Sequence, residues 1–265
     1  MSTLAQIWIY PLKSARGLRI DRAELTVMGL AHDRRWMLVD PSGRFISQRE
    51  CPALARLEVS LERQLGFRWQ KRGLELPLPP YDLPEIEVTV WHSQLRAQVF
   101  GSGATEWFSQ ILERPCRLVY MPETTYRRTN PSFAPGKRVS FADGYPFLLC
   151  NLASLADLNC RLSEKSLSPV GIERFRPNLV VDHPTAFAED GWKELRIGAI
   201  PFKVVKPCER CVVISTDQLS GQVGKEPLST LASYRKIAGK VIFGQNLVAS
   251  VNQGRLQLGD RLELG

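Results

Sequence analysis

Lys206-Pro207-Cys208-Glu209-Arg210-Cys211-Val212-Val213-Ile214-Ser215-Thr216 joins the chain's only C-x-x-C to a run rich in β-branched side chains. β-Branched residues suit the pleated, half-buried surface of a sheet, so the run predicts a strand over 211–216 that opens at Cys211. A ligand at the start of a strand sits on a rigid element. Lys206 and Arg210 place positive charge near the sulfur, which favours the thiolate form. Pro207 fixes one backbone angle on the approach.

Four chemistries compete for such a pair. A thioredoxin-like dithiol precedes a helix whose N-terminus activates the first sulfur, whereas a strand is predicted here. Structural zinc takes four ligands, commonly two such pairs; the other cysteines are Cys51, Cys116, Cys150 and Cys160, and His183 with Cys150 or Cys160 would be an improvised set. Two partly buried free cysteines are a common outcome. The fourth is a single soft thiolate for a metal whose remaining ligands belong to a cofactor. Local chemistry permits it without selecting it.

Outward from this run, short segments rich in β-formers alternate with polar turns. Residues 4–10, 23–28, 36–40, 86–91 and 95–100 read as strands in the first half, with Asp40-Pro41-Ser42-Gly43 as a turn. In the second half, 178–182, 193–197, 200–205, 246–251 and 255–264 read the same way. Helices are predicted over 105–112, where Trp107, Phe108, Ile111 and Leu112 share a face, and over 151–162, with Asn or Ser as caps. A shorter one is predicted over 228–238. Strands with interspersed helices and no regular βαβ alternation predict a β-rich α+β fold, barrel-like. The polar, proline-bearing stretch 122–137 predicts a junction, dividing the chain into 1–121 and 122–265.

The 265 residues suffice for a sizeable buried core, and 44% hydrophobic with 23% charged is the composition of a soluble globular protein. No apolar window approaches the ~20 residues of a membrane span, and no secretory signal opens the chain, so the expected location is cytoplasmic with no membrane partner. The net charge of +8 asks for an anionic partner. Its visible sources, Arg34-Arg35, Arg127-Arg128 and Lys137-Arg138, are dispersed short pairs with no nucleic-acid-binding signature. A small phosphorylated ligand fits them at least as well as nucleic acid.

Over nearly its whole length the chain resembles MOSC-domain proteins of the YcbX and mitochondrial amidoxime-reducing-component type. The resemblance is carried in order by Tyr10-Pro11-Leu12-Lys13-Ser14, Asp33-Arg34-Arg35-Trp36, Ser154-Leu155-Ala156-Asp157-Leu158-Asn159, Phe175-Arg176-Pro177-Asn178, Glu189-Asp190-Gly191-Trp192, Lys206-Pro207-Cys208-Glu209-Arg210-Cys211, Lys225-Glu226-Pro227-Leu228 and Phe243-Gly244-Gln245-Asn246. It implies a MOSC β-barrel with an associated N-terminal β-barrel-like domain and molybdopterin held between them. It implies Cys211 as the protein ligand to molybdenum and Lys13, Ser14, Arg34, Arg176 and Asn178 as cofactor contacts, with Glu209 and Arg210 lining the same pocket. Asp143 matches an acidic position near the metal and is a candidate proton donor. Gly144-Tyr145 replaces a Thr-Ser pair found in animal relatives. A pterin phosphate is dianionic, which suits the planar fork of Arg and the point charge of Lys.

The implied activity is molybdenum cofactor-dependent reduction of N-hydroxylated small molecules such as hydroxylaminopurines, amidoximes and hydroxylamines. No cysteine comes after Cys211 to hold an iron–sulfur cluster, so electrons are expected from a separate ferredoxin or flavodoxin-like protein. The alternative is a module that carries molybdopterin or sulfur on Cys211 without turnover of its own.

Overall fold

The computed structural model describes residues 2–265. The N-terminal half contains β1 (Thr3–Ile9), β2 (Leu18–Ile20), β3 (Arg22–Thr26), β4 (Gly29–Leu30), β5 (Trp36–Val39), β6 (Glu58–Leu61), β7 (Leu65–Trp69), β8 (Arg72–Leu76), β9 (Glu85–Val90), β10 (Ser93–Val99), α1 (Ser102–Leu112) and β11 (Arg117–Tyr120). The C-terminal half contains β12 (Phe147–Asn151), α2 (Leu152–Glu164), β13 (Leu179–Asp182), β14 (Glu194–Ile197), β15 (Ile200–Glu209), α3 (Leu228–Tyr234), β16 (Lys236–Ile237), β17 (Lys240–Ala249), β18 (Gly254–Gln257) and β19 (Leu262–Leu264). The β-rich α+β architecture expected from the sequence is the one found.

One large sheet runs β19-β14-β15-β17-β12-β13-β1-β2, with β16 folded back on β17. β12 and β13 are parallel, joined across α2, and the other pairings in the sheet are antiparallel. Every residue of β12 is buried, so the strand is covered on both faces. Phe147 and Leu149 pack with Leu179, Val181, Phe202 and Leu247. Leu148 and Cys150 point the other way, toward Leu158, Leu162, Leu231 and Phe243 under the helices. Asn151 ends the strand and caps α2, its side chain accepting from the Ala153 N–H at 3.3 Å.

In the N-terminal half, β5-β11-β10-β9 form one sheet and β6-β7-β8 a meander. β5 is again buried on both faces: Trp36 and Leu38 join the core with α1 and β7, while Met37 and Val39 join that of β9 and β10. The first thirty residues leave this half. β1 pairs with β13, and β3 pairs with β18, so the two halves of the sequence share sheets. Residues 122–137 lie between β11 and β12.

The strand predicted over 211–216 is absent. β15 ends at Glu209, and Val212–Ser215 forms one turn of 3₁₀ helix instead. The β-branched run has no neighbouring strand edge: pairing with β17 stops at Glu209 opposite Ile242. Ile214 is buried beneath α2 and α3 while Val212 is left exposed. Packing thus overrides β-propensity, which reflects available neighbours more than the backbone. The helix predicted over 228–238 stops at Tyr234 and the chain turns into the β16–β17 hairpin. The strand predicted over 255–264 is two strands, β18 and β19, separated by a turn at Gly259. Among the described residues no helix is long and apolar enough to cross a membrane.

Candidate functional site

Between the two halves lies a cavity of about 360 Å³, and all nine residues nominated from the sequence line it: Lys13, Ser14, Arg34, Asp143, Arg176, Asn178, Glu209, Arg210 and Cys211. Three of them hold left-handed backbone without being glycine, Ser14 at φ 71°, Arg34 at φ 50° and Arg176 at φ 55°. Such conformations are uncommon and persist where the surroundings fix them. Around Ser14 and Arg34 tertiary hydrogen bonds do so, from the Lys13 N–H to the Trp36 carbonyl and from the Arg34 N–H to the Tyr10 carbonyl.

Arg34 and Arg176 stack on the buried Tyr10 ring, at 4.1 and 4.2 Å from its centroid. Asp33 accepts from Arg34 Nη1 through both carboxylate oxygens, at 2.8 and 2.6 Å, and Arg34 Nη2 donates to the Arg176 carbonyl at 3.1 Å. Arg176 Nη1 donates to the Ala15 carbonyl at 2.7 Å, leaving the rest of its fork available to the cavity. Burial lowers the Arg176 guanidinium to about 10, with Tyr10 opposing the shift; it remains charged at neutral pH.

Lys13 is buried, and its Nζ donates to the Phe141 carbonyl at 2.8 Å and to Asp143 Oδ1 at 2.6 Å. The Asp143 side chain itself is 71% exposed, open to the cavity. Enclosure would push its carboxyl up, but the charge and hydrogen bond of Lys13, with the Trp91 indole N–H and Arg49, hold it well below the usual carboxylate range. A carboxylate so held is an acceptor at neutral pH, which weighs against the proton-donor role expected for it. Burial likewise lowers the Lys13 ammonium, against the opposing pull of Asp143.

The two cysteines part company. Cys208 lies near the end of β15 and takes Arg210 Nη1 at 2.9 Å, while Arg210 Nη2 donates to the Phe175 carbonyl at 2.7 Å. Arg210 therefore hydrogen-bonds Cys208 while its charge also reaches Cys211, and a second cation joins it there: Arg49 Nη2 donates to the Cys211 sulfur at 3.3 Å. Lys206 turns away, pairing with Glu209 at 2.7 Å. Arg49 stacks 4.5 Å from the Trp91 ring centroid, and Trp91 Nε1 donates to Asp143 Oδ1 at 3.2 Å. Cys211, Arg49, Trp91, Asp143 and Lys13 thus form one connected chain across the cavity. Neither Arg49 nor Trp91 carries any local sequence signal for this; Arg49 lies beyond the turn at 40–43 and Trp91 sits at the tip of the β9–β10 hairpin.

Asn178 lines the cavity with its amide already committed. Oδ1 accepts from the Leu148 N–H and Nδ2 donates to the Trp8 carbonyl, each at 3.2 Å. It braces β1 against β12. Gly144 and Tyr145 complete the wall near Asp143.

Six cationic side chains line the cavity (Lys13, Arg34, Arg49, Arg176, Arg210 and Lys240) against two carboxylates, Asp143 and Glu209. A cavity with that excess, a soft thiol and aromatic walls from Phe45 and Trp91 fits an anionic, polar-edged organic group that carries a thiophilic metal. Among the described residues no cluster of three or more His, Cys, Asp or Glu offers an alternative metal site, which removes the structural-zinc set. Past Cys211 the chain makes a single 3₁₀ turn, with no α-helix for a thioredoxin-like dithiol.

Comparison with known proteins agrees. The model of the MOSC N-terminal beta barrel domain matches residues 1–115, and that of the MOSC domain matches residues 136–263. Mitochondrial amidoxime-reducing component 1 of Mus musculus is 35% identical over 286 aligned positions, covering 100% of this chain and 82% of its own. The Homo sapiens protein of that name is 34% identical, with 100% and 83% covered. The molybdenum cofactor sulfurase of Oryza sativa is 37% identical over 91% of this chain but 32% of its own length, so the chain spans about a third of that relative. On these matches and on the shared-sheet fold that carries them, the chain belongs to the MOSC family, with a MOSC N-terminal β-barrel domain ahead of a MOSC domain.

Proposed function

We propose that the protein is a molybdenum cofactor-dependent reductase of N-hydroxylated small molecules, with Cys211 as the protein sulfur ligand, working in the cytoplasm with a separate electron donor. The observation that carries this is the convergence of the Cys211 thiol, six cations and an ionised Asp143 on one cavity. The amidoxime-reducing components of mouse and human supply the substrate class. When bound, the cofactor supplies a two-electron centre at which N–OH becomes N–H, consuming two protons and releasing water.

Lys13, Ser14, Arg34 and Arg176 hold its anionic and polar edges, Arg34 being fixed by Asp33 and Arg176 by Ala15. Asn178 keeps β1 and β12 in place beneath them, and Arg210 and Glu209 shape the wall near Cys208. Arg49 donates a hydrogen bond to the sulfur of Cys211. Asp143, charged and reachable, accepts hydrogen bonds from the N–H or O–H of an amidoxime or hydroxylamine. Lys13 beneath it holds a proton at Nζ, within 2.6 Å of that carboxylate.

Protein purified from a molybdenum-replete, cofactor-competent host is expected to carry near-stoichiometric molybdenum and fluorescent oxidised pterin. Cys211→Ser is expected to alter the metal's environment and abolish reduction of N–OH substrates, with Cys208→Ser retaining most activity. Wild-type protein with neither metal nor pterin, under conditions that load a known molybdoenzyme, would remove the proposal. The match to a third of a sulfurase supports a second reading, a carrier of molybdopterin or sulfur. Such a carrier would hold the cofactor yet fail to turn over with an artificial electron donor.

A further inference from the structure

The basic pairs Arg127-Arg128 and Lys137-Arg138 are separated in sequence but meet in the fold. An antiparallel bridge joins Arg128 to Arg138, and Thr129 closes the loop between them, its one hydroxyl proton shared between the carbonyls of Ala134 and Lys137. Three of these four side chains are anchors. Arg127 is buried and donates to the carbonyls of Ser140, Ala142 and Asp143, the segment that forms the cavity wall. Lys137 Nζ donates to the Ala249 carbonyl at 2.7 Å.

Arg138 Nη2 donates to the carbonyls of Glu123 and Thr125, its guanidinium 5.1 Å from the Tyr126 ring centroid, and the exposed Arg128 lies 5.3 Å from the same ring. Tyr126 is nonetheless 52% exposed. Beside the same loop, Phe133 is 44% exposed, and Lys206 lies 5.3 Å from its ring. Lys206 belongs to β15, the strand that ends next to Cys211. Residues 122–138 contain four cations and one acid, Glu123.

Exposed Tyr and Phe beside Arg are residue types enriched in protein–protein contacts. Their hydrogen-bonded frame means that little ordering is lost on binding. The charge selects the partner: a second copy of this chain, itself at +8, is repelled, and an acidic protein is attracted. We propose that Tyr126, Arg128, Phe133, Arg138 and Lys206 form the docking face for an acidic electron-transfer protein, whose redox group is thereby brought to the rim of the cavity. This rests on the reductase reading, since only a reductase needs such a partner.

The test uses full-length, cofactor-loaded protein and the double variant Tyr126→Ala/Arg128→Glu, both positions being exposed and outside the cavity. Binding of an acidic [2Fe–2S] ferredoxin and of an acidic flavodoxin is measured by calorimetry at two salt concentrations. Turnover of an N–OH substrate is measured with each reduced donor and with reduced methyl viologen, which needs no docking. At least one protein donor is expected to bind wild type, more weakly at higher salt, and to lose about tenfold in affinity and in kcat/KM in the variant. Viologen-driven turnover, molybdenum content and Tm should stay unchanged. Equal binding of wild type and variant, binding by neither donor, or tighter binding of this face to anionic vesicles or single-stranded DNA would overturn the docking face. Failure of viologen turnover with the binding difference intact would overturn the reductase reading and leave the docking face standing.

Discussion

The ion pair of Lys13 with Asp143 joins a buried cation to a carboxylate that faces the cavity. Removing the carboxylate leaves the ammonium buried without its charge partner, while the solvent reach of Asp143 limits the loss. Asp143→Asn is therefore expected to cost about 1 kcal/mol at neutral pH, measured by chemical denaturation. The sign with pH follows from the depressed carboxyl. Its contribution is complete above the ordinary carboxylate value and disappears as pH falls through the lower folded one. The gap between wild type and Asp143→Asn should hold from pH 7 to about 5 and narrow below about 4. A gap that widened in acid would contradict the assignment of charge. Arg49 acts on Cys211 through its charge and a hydrogen bond from Nη2 to the sulfur at 3.3 Å. In metal-free protein, Arg49→Gln should cut alkylation of Cys211 by anionic iodoacetate about fivefold relative to neutral iodoacetamide. An unchanged ratio, read by mass spectrometry at that residue, would show that Arg49 does not set the local field.

At the scale of elements, Asn151 does three things at the seam of β12 and α2. It caps the helix at Ala153, accepts from the His183 N–H at 3.1 Å, and donates to the Thr185 carbonyl at 2.9 Å. Asn151→Ala should cost about 2–3 kcal/mol, more than the ~1 kcal/mol of a cap alone; a loss under about 1 kcal/mol would mean that only the cap matters. Gly244, in β17, holds φ +77°, and an added Cβ would lie 2.6 Å from the Leu149 carbonyl and 2.8 Å from the Cys150 sulfur. Gly244→Ala is expected to cost about 3 kcal/mol through backbone strain and overpacking together, seen as a lower Tm. Helices are the more legible elements, because α1 and α2 carry continuous apolar faces and α2 an Asn cap. The β6–β8 meander is hard to read in one dimension: Glu58-Val59-Ser60-Leu61 and Arg72-Gly73-Leu74-Glu75-Leu76 interleave their apolar residues with charged or small ones, a weak signal without the partner strands.

Across the whole molecule, β1 lies against β13 and covers it with Leu4 and Ile7 from the far end of the chain. A fragment of residues 122–265 would expose that strand edge and the apolar face of Leu179 and Val181. We expect it to be insoluble or to lack a cooperative melt, whereas the full chain should unfold in one transition that is the same by circular dichroism and by tryptophan fluorescence. A soluble fragment with a sharp transition would show that the two halves fold independently.

The sequence by itself determined the β-rich fold class and the positions of α1 and α2, because composition and helical periodicity are properties of neighbours along the chain, while the nine site residues were legible only through the resemblance to MOSC-domain proteins. Only the tertiary structure decided what each of those nine touches. It added Arg49 to Arg210 as a cation beside Cys211, turned the β-branched run after it into a 3₁₀ turn, and committed the Asn178 amide to two strands. It also set Arg128 beside Arg138 around one exposed tyrosine. Electrostatics and packing act through space over a few ångströms, and Arg49 and Cys211 stand 162 positions apart in the chain.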